Sequence, residues 1–335
     1  MRIRSHLFLF VVLFACVQSV LAQARTGVGL RTIEVQEPRT GTVMPAMIFH
    51  PTVEDTATTK VGTYEIEGEF SRPTAPGKHP LVLLSHGHGG SAVGHHPLAV
   101  SLARAGYIVA AIEHAGDSYR DQSGFGTDRV LLGRAWQISA LLDALMKAPE
   151  LGERIDADRI GVAGFSAGGY TSLLLLGATP DGANHAKYCT QFPQDEELCV
   201  LSPSKAIHFD QSLQTTDPRI RSAFVMSPLA VFFDKESLGA VTRPVFVHAA
   251  MADTVLKPRW NALAVRHGVR NLRGWRGIVG ADHYVYLAPC PASMARSVPE
   301  LCRDPAGIDR ERLQVEVAES ARSFFDETLL DAGPR

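Results

Sequence analysis

Short runs of uninterrupted apolar residues recur along the chain, separated by longer stretches in which apolar positions follow a helical period. A strand that is apolar at every position is typical of a parallel sheet covered on both faces, and the helical period indicates helices packed on such a sheet. The predicted strands are 80–85, 107–112, 160–163, 223–226, 245–248 and 277–279, and the predicted helices are 97–105, 129–146, 170–176 and 313–329. Because strands and helices alternate, we expect a doubly wound, mostly parallel α/β sheet.

The N-terminal part of the chain has a different pattern. Residues 30–36, 44–49 and 63–70 are extended stretches, and the first of them alternates apolar and polar residues. A period of two is typical of antiparallel strands that have one solvated face. We therefore expect antiparallel strands along one edge of the sheet.

One long stretch interrupts the alternation of strands and helices. From about residue 179 to 217 the chain is polar, contains prolines and has only a weak period. Such a segment inside a compact domain is usually a functional loop or lid. We expect a lid-like insertion in a single domain spanning 23–335. Its residues Phe192, Phe209 and Leu213 either line an acyl pocket or pack the insertion onto the body of the domain.

The first residues have the three-part pattern of a secretory signal peptide. Arg2 and Arg4 precede an apolar run over 7–17, and Ala22 ends a small-residue cleavage site. The apolar run is too short for a stable membrane span. We predict a signal peptide over 1–22 and a secreted or periplasmic protein. The alternative interpretation is a lipoprotein that is modified at Cys16.

Removal of the signal peptide leaves four cysteines, an even number that favours disulfide bonds in an exported chain. Three pairings are possible. The local pairing, Cys189 with Cys199 and Cys290 with Cys302, closes two short loops and is favoured here. Free buried thiols are the alternative, and a zinc site is disfavoured because neither pair has C-x-x-C spacing.

Length, composition and charge are those of an ordinary globular protein. The chain has 335 residues, of which 45% are hydrophobic and 20% are charged, and its formal net charge is −2. This length allows one large α/β domain. A net charge near zero gives no electrostatic case for a nucleic-acid partner.

The sequence around Ser166 has the G-x-S-x-G pattern, Gly164-Phe165-Ser166-Ala167-Gly168. It stands between a predicted strand and a predicted helix, which is the setting of the nucleophile elbow of an α/β-hydrolase. A serine there projects its hydroxyl from the end of the sheet. The alternative is an ordinary glycine-rich turn or a phosphate cradle, but no lysine follows as in a P-loop.

A serine nucleophile needs a base and an acid, which follow it in this fold in the order Ser, Asp or Glu, His. Asp253 lies on the loop after strand 245–248, at the edge where α/β sites are assembled. Asp234 is a competing acid farther from its strand end. His283 follows the last predicted strand and is the predicted base, whereas His267 has the position of a structural residue at a helix end.

The oxyanion formed during acyl transfer needs two backbone N–H donors. The first is the residue after the nucleophile, Ala167. The second comes from the glycine-rich loop 85–90, where we nominate the amide of His88. Several histidines nearby also suggest a metal site, but no Asp or His pair follows at suitable spacing, so we predict no metal or other cofactor. These histidines are His86, His88, His95, His96 and His114.

These motifs as a set resemble the exported α/β-hydrolases described as predicted dienelactone hydrolases, which are related to platelet-activating-factor acetylhydrolases. The resemblance covers roughly residues 40–330 and rests on segments 83–90, 106–111, 158–170 and 283–290. It implies an α/β-hydrolase fold and carboxylic-ester hydrolysis. It also implies Ser166, Asp253 and His283 as catalytic triad, with the His88 and Ala167 amides as oxyanion donors.

The predicted function is hydrolysis of a small-molecule carboxylic ester through an acyl-enzyme on Ser166. The dienelactone hydrolases that gave the group its label use a cysteine nucleophile, so the serine argues against a dienelactone substrate. Two alternatives remain, an amidase or peptidase with the same triad and a catalytically inactive binding protein. The acyl chain, the alcohol and the oligomeric state do not follow from the sequence.

Overall fold

The computed structural model describes residues 27–199, 207, 209–210 and 212–331. The predicted signal peptide over 1–22, including the alternative modification site Cys16, lies outside the described residues. In the described part, no helix is both long enough and apolar enough to cross a membrane.

Strands are spread along the described chain from its first residue to Ile278. They are β1 Gly27–Gln36, β2 Val43–Thr52, β3 Thr58–Val61, β4 Tyr64–Glu67, β5 Glu69–Phe70, β6 His79–Ser85, β7 Ile108–Ile112, β8 Ile155–Phe165, β9 Ile220–Met226, β10 Val245–Ala250 and β11 Leu272–Ile278.

Helices alternate with these strands from β6 onward. They are α1 His96–Arg104, α2 Asp128–Leu131, α3 Gly133–Lys147, α4 Leu151–Arg154, α5 Ala167–Leu175, α6 Gly182–Gln191, α7 Glu196–Cys199, α8 Lys235–Ala240, α9 Ala262–Gly268, α10 Ala292–Ser297, α11 Pro299–Cys302 and α12 Arg310–Phe325. Short 3₁₀ turns cover Pro258–Trp260 and His283–Tyr286, and a π turn covers Asp326–Leu330.

The main sheet has the strand order β11-β10-β9-β8-β6-β7-β2-β1-β5. The strands from β11 to β7 run parallel to one another, whereas β2 pairs antiparallel with both β7 and β1. A separate antiparallel hairpin joins β3 to β4. The predicted mostly parallel sheet with antiparallel N-terminal edge strands is therefore confirmed.

Alternate side chains of the central strands point to opposite faces of the sheet and belong to two apolar cores, one on each face. In β6, Leu81 and Leu83 belong to the core that also contains buried residues of α3 and α5. Val82 and Leu84 belong to the core beneath α1 and α12. Because both faces are covered by helices, the strand is apolar at every position from Pro80 to Leu84, which is the pattern that identified it.

Two elements differ from the predicted bounds. Strand β11 begins at Leu272, earlier than the predicted start at 277, because it is the edge strand and carries half-exposed and polar positions such as Arg273. The predicted helix over 129–146 is two helices, α2 and α3, interrupted at Leu132. A hydrophobic pattern continues through such an interruption, so the pattern does not show it.

The insertion over 179–217 contains more regular structure than the irregular stretch we predicted. Helices α6 and α7 form a small unit that the Cys189–Cys199 disulfide closes. The Cys290–Cys302 disulfide closes a second short segment, around α10 and α11. Both are local pairs, and two disulfides are consistent with an exported protein.

The insertion packs onto the loop that follows β10. The ring of Tyr188 meets Trp260 edge-on with 5.7 Å between centroids, and Phe192 meets the same indole at 5.8 Å. Lys257 Nζ lies 2.5 Å from a carboxylate oxygen of Asp195. Phe192 therefore packs the insertion onto the body of the domain. The function of the insertion as a lid stays a prediction.

Candidate active site

The turn that carries Ser166 joins β8 directly to α5. Ser166 has φ 55° and ψ −117°, a backbone conformation that L-residues rarely adopt. The neighbouring glycines are required by close packing: a Cβ on Gly164 would lie 2.1 Å from the Gly168 carbonyl oxygen, and one on Gly168 would lie 1.9 Å from that of Ser85. The predicted sharp strand-to-helix turn is thus present, with the serine at its apex.

His283 and Asp253 form a buried pair. His283 Nδ1 donates to Asp253 Oδ2 at 2.7 Å, and both side chains are almost fully buried. The other carboxylate oxygen, Asp253 Oδ1, accepts the backbone N–H groups of Val255 at 3.0 Å and Leu256 at 2.6 Å. These bonds hold the carboxylate on the loop after β10 and fix the tautomer that leaves His283 Nε2 as the basic nitrogen.

Phe165, the residue before the serine, connects the turn to this pair. Its ring packs against the His283 imidazole with 4.7 Å between centroids, and it also contacts His95 and Tyr286. Ser166 Oγ makes no hydrogen bond with the His283 ring in the part of the chain that the structure describes. Hydrogen bonds between a nucleophile and its base are often long in the absence of substrate and tighten when substrate binds.

The two nominated oxyanion donors flank the serine turn. Ala167 is the first residue of α5, so its N–H has no intrahelical acceptor. His88 follows Gly87, where a Cβ would lie 3.3 Å from Ser166 Cβ. Within the described residues, neither the Ala167 nor the His88 backbone N–H bonds to another protein group. Both donors are therefore adjacent to the serine and unpaired.

The competing candidates Asp234 and His267 have structural positions, and so has Asp282, the neighbour of His283 in the sequence. Asp234 is the N-cap of α8, where its side chain accepts the Ser237 N–H at 2.8 Å. Asp282 caps the 3₁₀ turn that carries His283 and accepts the His283 N–H at 2.7 Å. His267 lies in the last turn of α9. The structure brings Asp253, not these residues, to the imidazole of His283.

Three of the histidines that suggested a metal site, His86, His95 and His114, are each bonded to a different protein group. His86 Nδ1 lies 2.6 Å from the Gly87 carbonyl oxygen, His95 Nδ1 lies 3.0 Å from that of Tyr286, and His114 Nε2 lies 2.8 Å from Ser85 Oγ. Burial lowers the pKa of His86 to about 3 and that of His95 to about 4. These rings are accordingly neutral at pH 7.

Two buried charged residues, Asp117 and Arg134, lie beside the glycine-rich loop 85–90, and no sequence motif indicated them. They form an ion pair of 2.5 Å, and each side chain is 1% exposed. Asp117 also bonds the ring of His88, a side chain to which we assigned no role from the sequence. Burial tends to raise the pKa of Asp117, but the Arg134 guanidinium and the His88 hydrogen bond outweigh it and leave the pKa lowered.

Comparisons with known proteins agree with the fold. Residues 46–130 match the family model described as platelet-activating factor acetylhydrolase, isoform II, and residues 96–183 match that of the prolyl oligopeptidase family. The structure is similar to that of a ferulic acid esterase from Streptomyces cinnamoneus, with a TM-score of 0.66 and 18% sequence identity. That alignment covers 95% of this chain and 94% of the esterase. A search among curated proteins gave no match.

The buried neutral histidines predict acid-sensitive stability. Burial lowers the pKa of His86 to about 3, and those of His95 and His248 to about 4, whereas an unfolded histidine titrates near 6.5. Below that value the unfolded state binds protons that the native state excludes. The free energy of unfolding should therefore be constant just above pH 6.5 and fall between pH 6.5 and 4, by up to about 1.4 kcal/mol per pH unit for each histidine.

Urea unfolding at a series of pH values measures this dependence. In the variant His248→Gln, the free energy of unfolding should fall less steeply between pH 6.5 and 4, because the buried side chain at this position no longer titrates. The difference in slope should be the contribution of one histidine, up to about 1.4 kcal/mol per pH unit. A free energy of unfolding that stays constant from pH 7 to 5 in the wild type would contradict the prediction.

Proposed function

We propose that this chain, a serine hydrolase of the α/β-hydrolase fold similar to the platelet-activating-factor acetylhydrolases, cleaves carboxylic esters through an acyl-enzyme on Ser166. One observation supports the assignment of Ser166, Asp253 and His283 as the catalytic residues. The strained turn bearing Ser166 and the Asp253–His283 pair, with its 2.7 Å hydrogen bond, lie together at the carboxyl edge of the sheet and meet through Phe165.

In the first half-reaction, His283 Nε2 takes the proton of the Ser166 hydroxyl as Oγ attacks the ester carbonyl carbon. Asp253 keeps the imidazole oriented and stabilises the imidazolium. The carbonyl oxygen becomes an oxyanion that accepts hydrogen bonds from the amides of His88 and Ala167. Collapse of this intermediate breaks the ester C–O bond, and the leaving alkoxide receives the proton from His283.

In the second half-reaction, water replaces the alcohol. His283 removes a proton from the water as its oxygen attacks the acyl carbon, and returns the proton to Ser166 Oγ as the acid leaves. The reaction consumes only the ester and water and releases the alcohol and the acid, so we propose no metal or organic cofactor. The substrate is a small-molecule ester rather than a nucleic acid.

Peptide or amide hydrolysis on the same triad is the second candidate. It is favoured by the match to the prolyl oligopeptidase family over residues 96–183, a segment that contains Ser166. The first candidate is supported by the acetylhydrolase match over 46–130, which contains the loop of His88. A catalytically inactive binding protein fits less well, because the Asp253–His283 pair packs on Phe165 beside Ser166 and the glycine-rich loop of His88 lies next to the same turn.

We further propose that the protein acts outside the cytoplasm, in the periplasm or the medium. The support is the predicted signal peptide over 1–22 together with the two disulfides.

The test of ester hydrolysis compares p-nitrophenyl acetate with a series of peptide p-nitroanilides. We expect the wild type to hydrolyse the acetate, with little or no release of nitroaniline. Ser166→Ala should lower kcat by about 10⁴-fold or more, because the nucleophile is absent. Higher kcat/KM on the anilides would favour the peptidase. Wild-type turnover of the acetate by Ser166→Ala would contradict the proposal.

The assignment of the acid is tested by two matched substitutions. Asp253→Asn should lower kcat by about 10³–10⁴-fold, because the amide no longer stabilises the imidazolium or the correct tautomer. Asp234→Asn, which replaces one good N-cap residue of α8 by another, should keep kcat within about two-fold and change stability by only about 0.5 kcal/mol or less. Similar kcat values for the two variants would overturn the assignment.

A further inference from the structure

We propose that the buried ion pair of Arg134 and Asp117 holds both oxyanion donors in place, so that these two charged side chains are positioning residues for acyl transfer. The inference rests on the proposed function and concerns two residues that lie outside the sequence motifs described above. Neither side chain has to touch the substrate. Each acts through hydrogen bonds to the backbone segments that present the His88 and Ala167 amides.

The location of the pair is unusual for charged residues. Asp117 follows β7, and Arg134 is the second residue of α3. Both side chains are 1% exposed. Burial of two charges is costly, and an apolar pair of similar volume often stabilises a protein equally well or better. A contribution to stability therefore does not explain why this pair is present. The hydrogen bonds that the pair makes do explain it.

The guanidinium of Arg134 bonds the segment that leads into the oxyanion loop. Its Nη2 donates to Ser85 Oγ at 3.2 Å and to the carbonyl oxygen of His86. Ser85 Oγ in turn lies 2.8 Å from His114 Nε2. Arg134 therefore fixes Ser85 and His86, the two residues that directly precede Gly87 and His88.

The same guanidinium reaches the other donor through Thr171. Arg134 Nε donates to Thr171 Oγ1 at 3.1 Å, and this hydroxyl donates to the carbonyl oxygen of Ala167 at 2.9 Å. Thr171 lies one turn into α5, the helix that begins at Ala167. One side chain thus connects the first turn of the serine helix to the oxyanion loop.

Asp117 completes the arrangement on the loop side. Its Oδ2 accepts Arg134 Nη1 at 2.5 Å, while its Oδ1 accepts the Gly89 N–H at 3.2 Å and the ring N–H of His88. The His88 ring is also stacked on Phe125, with 3.8 Å between centroids. The carboxylate therefore holds the peptide between residues 88 and 89, next to the donor amide.

These contacts explain why both charges are needed. Every partner of the Asp117 carboxylate is a donor, so an asparagine would direct its own N–H₂ at one of them. Lysine in place of Arg134 would keep the charge but lose the fork that serves Thr171, Ser85 and His86 together. Oxyanion stabilisation depends on donors held in place before charge develops, and a small displacement is enough to lower it.

The experiment measures p-nitrophenyl acetate kinetics per active site, with sites counted by stoichiometric phosphonate labelling. The variants are Arg134→Lys and the double substitution Arg134→Met with Asp117→Leu, which leaves no unpaired buried charge. The matched control is Arg219→Lys. Arg219 also pairs with a buried aspartate, Asp217. That pair directly precedes β9 and therefore lies at the amino ends of the parallel strands, whereas the site lies at their carboxyl ends.

We expect kcat per active site to fall by about 10–100-fold in both variants, with KM within about three-fold. Affinity for an alkylboronic acid, whose tetrahedral adduct places an oxygen between the donors, should fall in the same proportion as kcat. Arg219→Lys should keep all three values within about two-fold of the wild type.

A merely structural role predicts a different result. Fewer molecules would then be labelled and the melting temperature would fall, but kcat per labelled site would stay within two-fold of the wild type. That result in either folded variant would overturn the inference. The proposed function is judged separately, by wild-type turnover and its loss in Ser166→Ala; an inactive wild type would refute the function itself and the inference with it.

Discussion

The candidate site depends on the close approach of two backbone segments, the end of β6 and the first turn of α5. A Cβ on Gly168 would lie only 1.9 Å from the Ser85 carbonyl oxygen, so the two segments can meet only where that residue is glycine. This approach sets the loop after β6 beside Ser166. It allows amides from two separate elements, at His88 and Ala167, to act on one carbonyl oxygen.

The surroundings of this contact are polar but carry little net charge. Arg134 and Asp117 neutralise each other, and burial keeps histidines such as His86 and His95 in their neutral form. The polar side-chain atoms of Arg134, Asp117, Ser85 and His114 are all bonded to protein groups, which is the condition for burying such a network without a large loss of stability. The serine therefore lies over a polar layer with fixed geometry rather than over an apolar core.

Much of this arrangement could be predicted because its signals are local in sequence. A strand followed by G-x-S-x-G indicates Ser166, and the ends of parallel strands indicate Asp253 and His283. The pairing of Arg134 with Asp117 could not be predicted in this way. A charged residue on an amphipathic helix is normally interpreted as solvent-facing, and only the tertiary fold shows that it is buried. The same limit applies to the insertion, whose helices depend on a disulfide and on packing against the β10 loop.

In the proposed reaction, the loop after β6 and the start of α5 together bind the oxyanion formed at Ser166. The most direct measurement is a crystal structure of the protein after reaction with an alkyl phosphonate. We expect phosphorus bonded to Ser166 Oγ, with one phosphonyl oxygen about 2.7–3.1 Å from the backbone nitrogens of both His88 and Ala167. An adduct on another residue, or a phosphonyl oxygen directed away from these two amides, would contradict it.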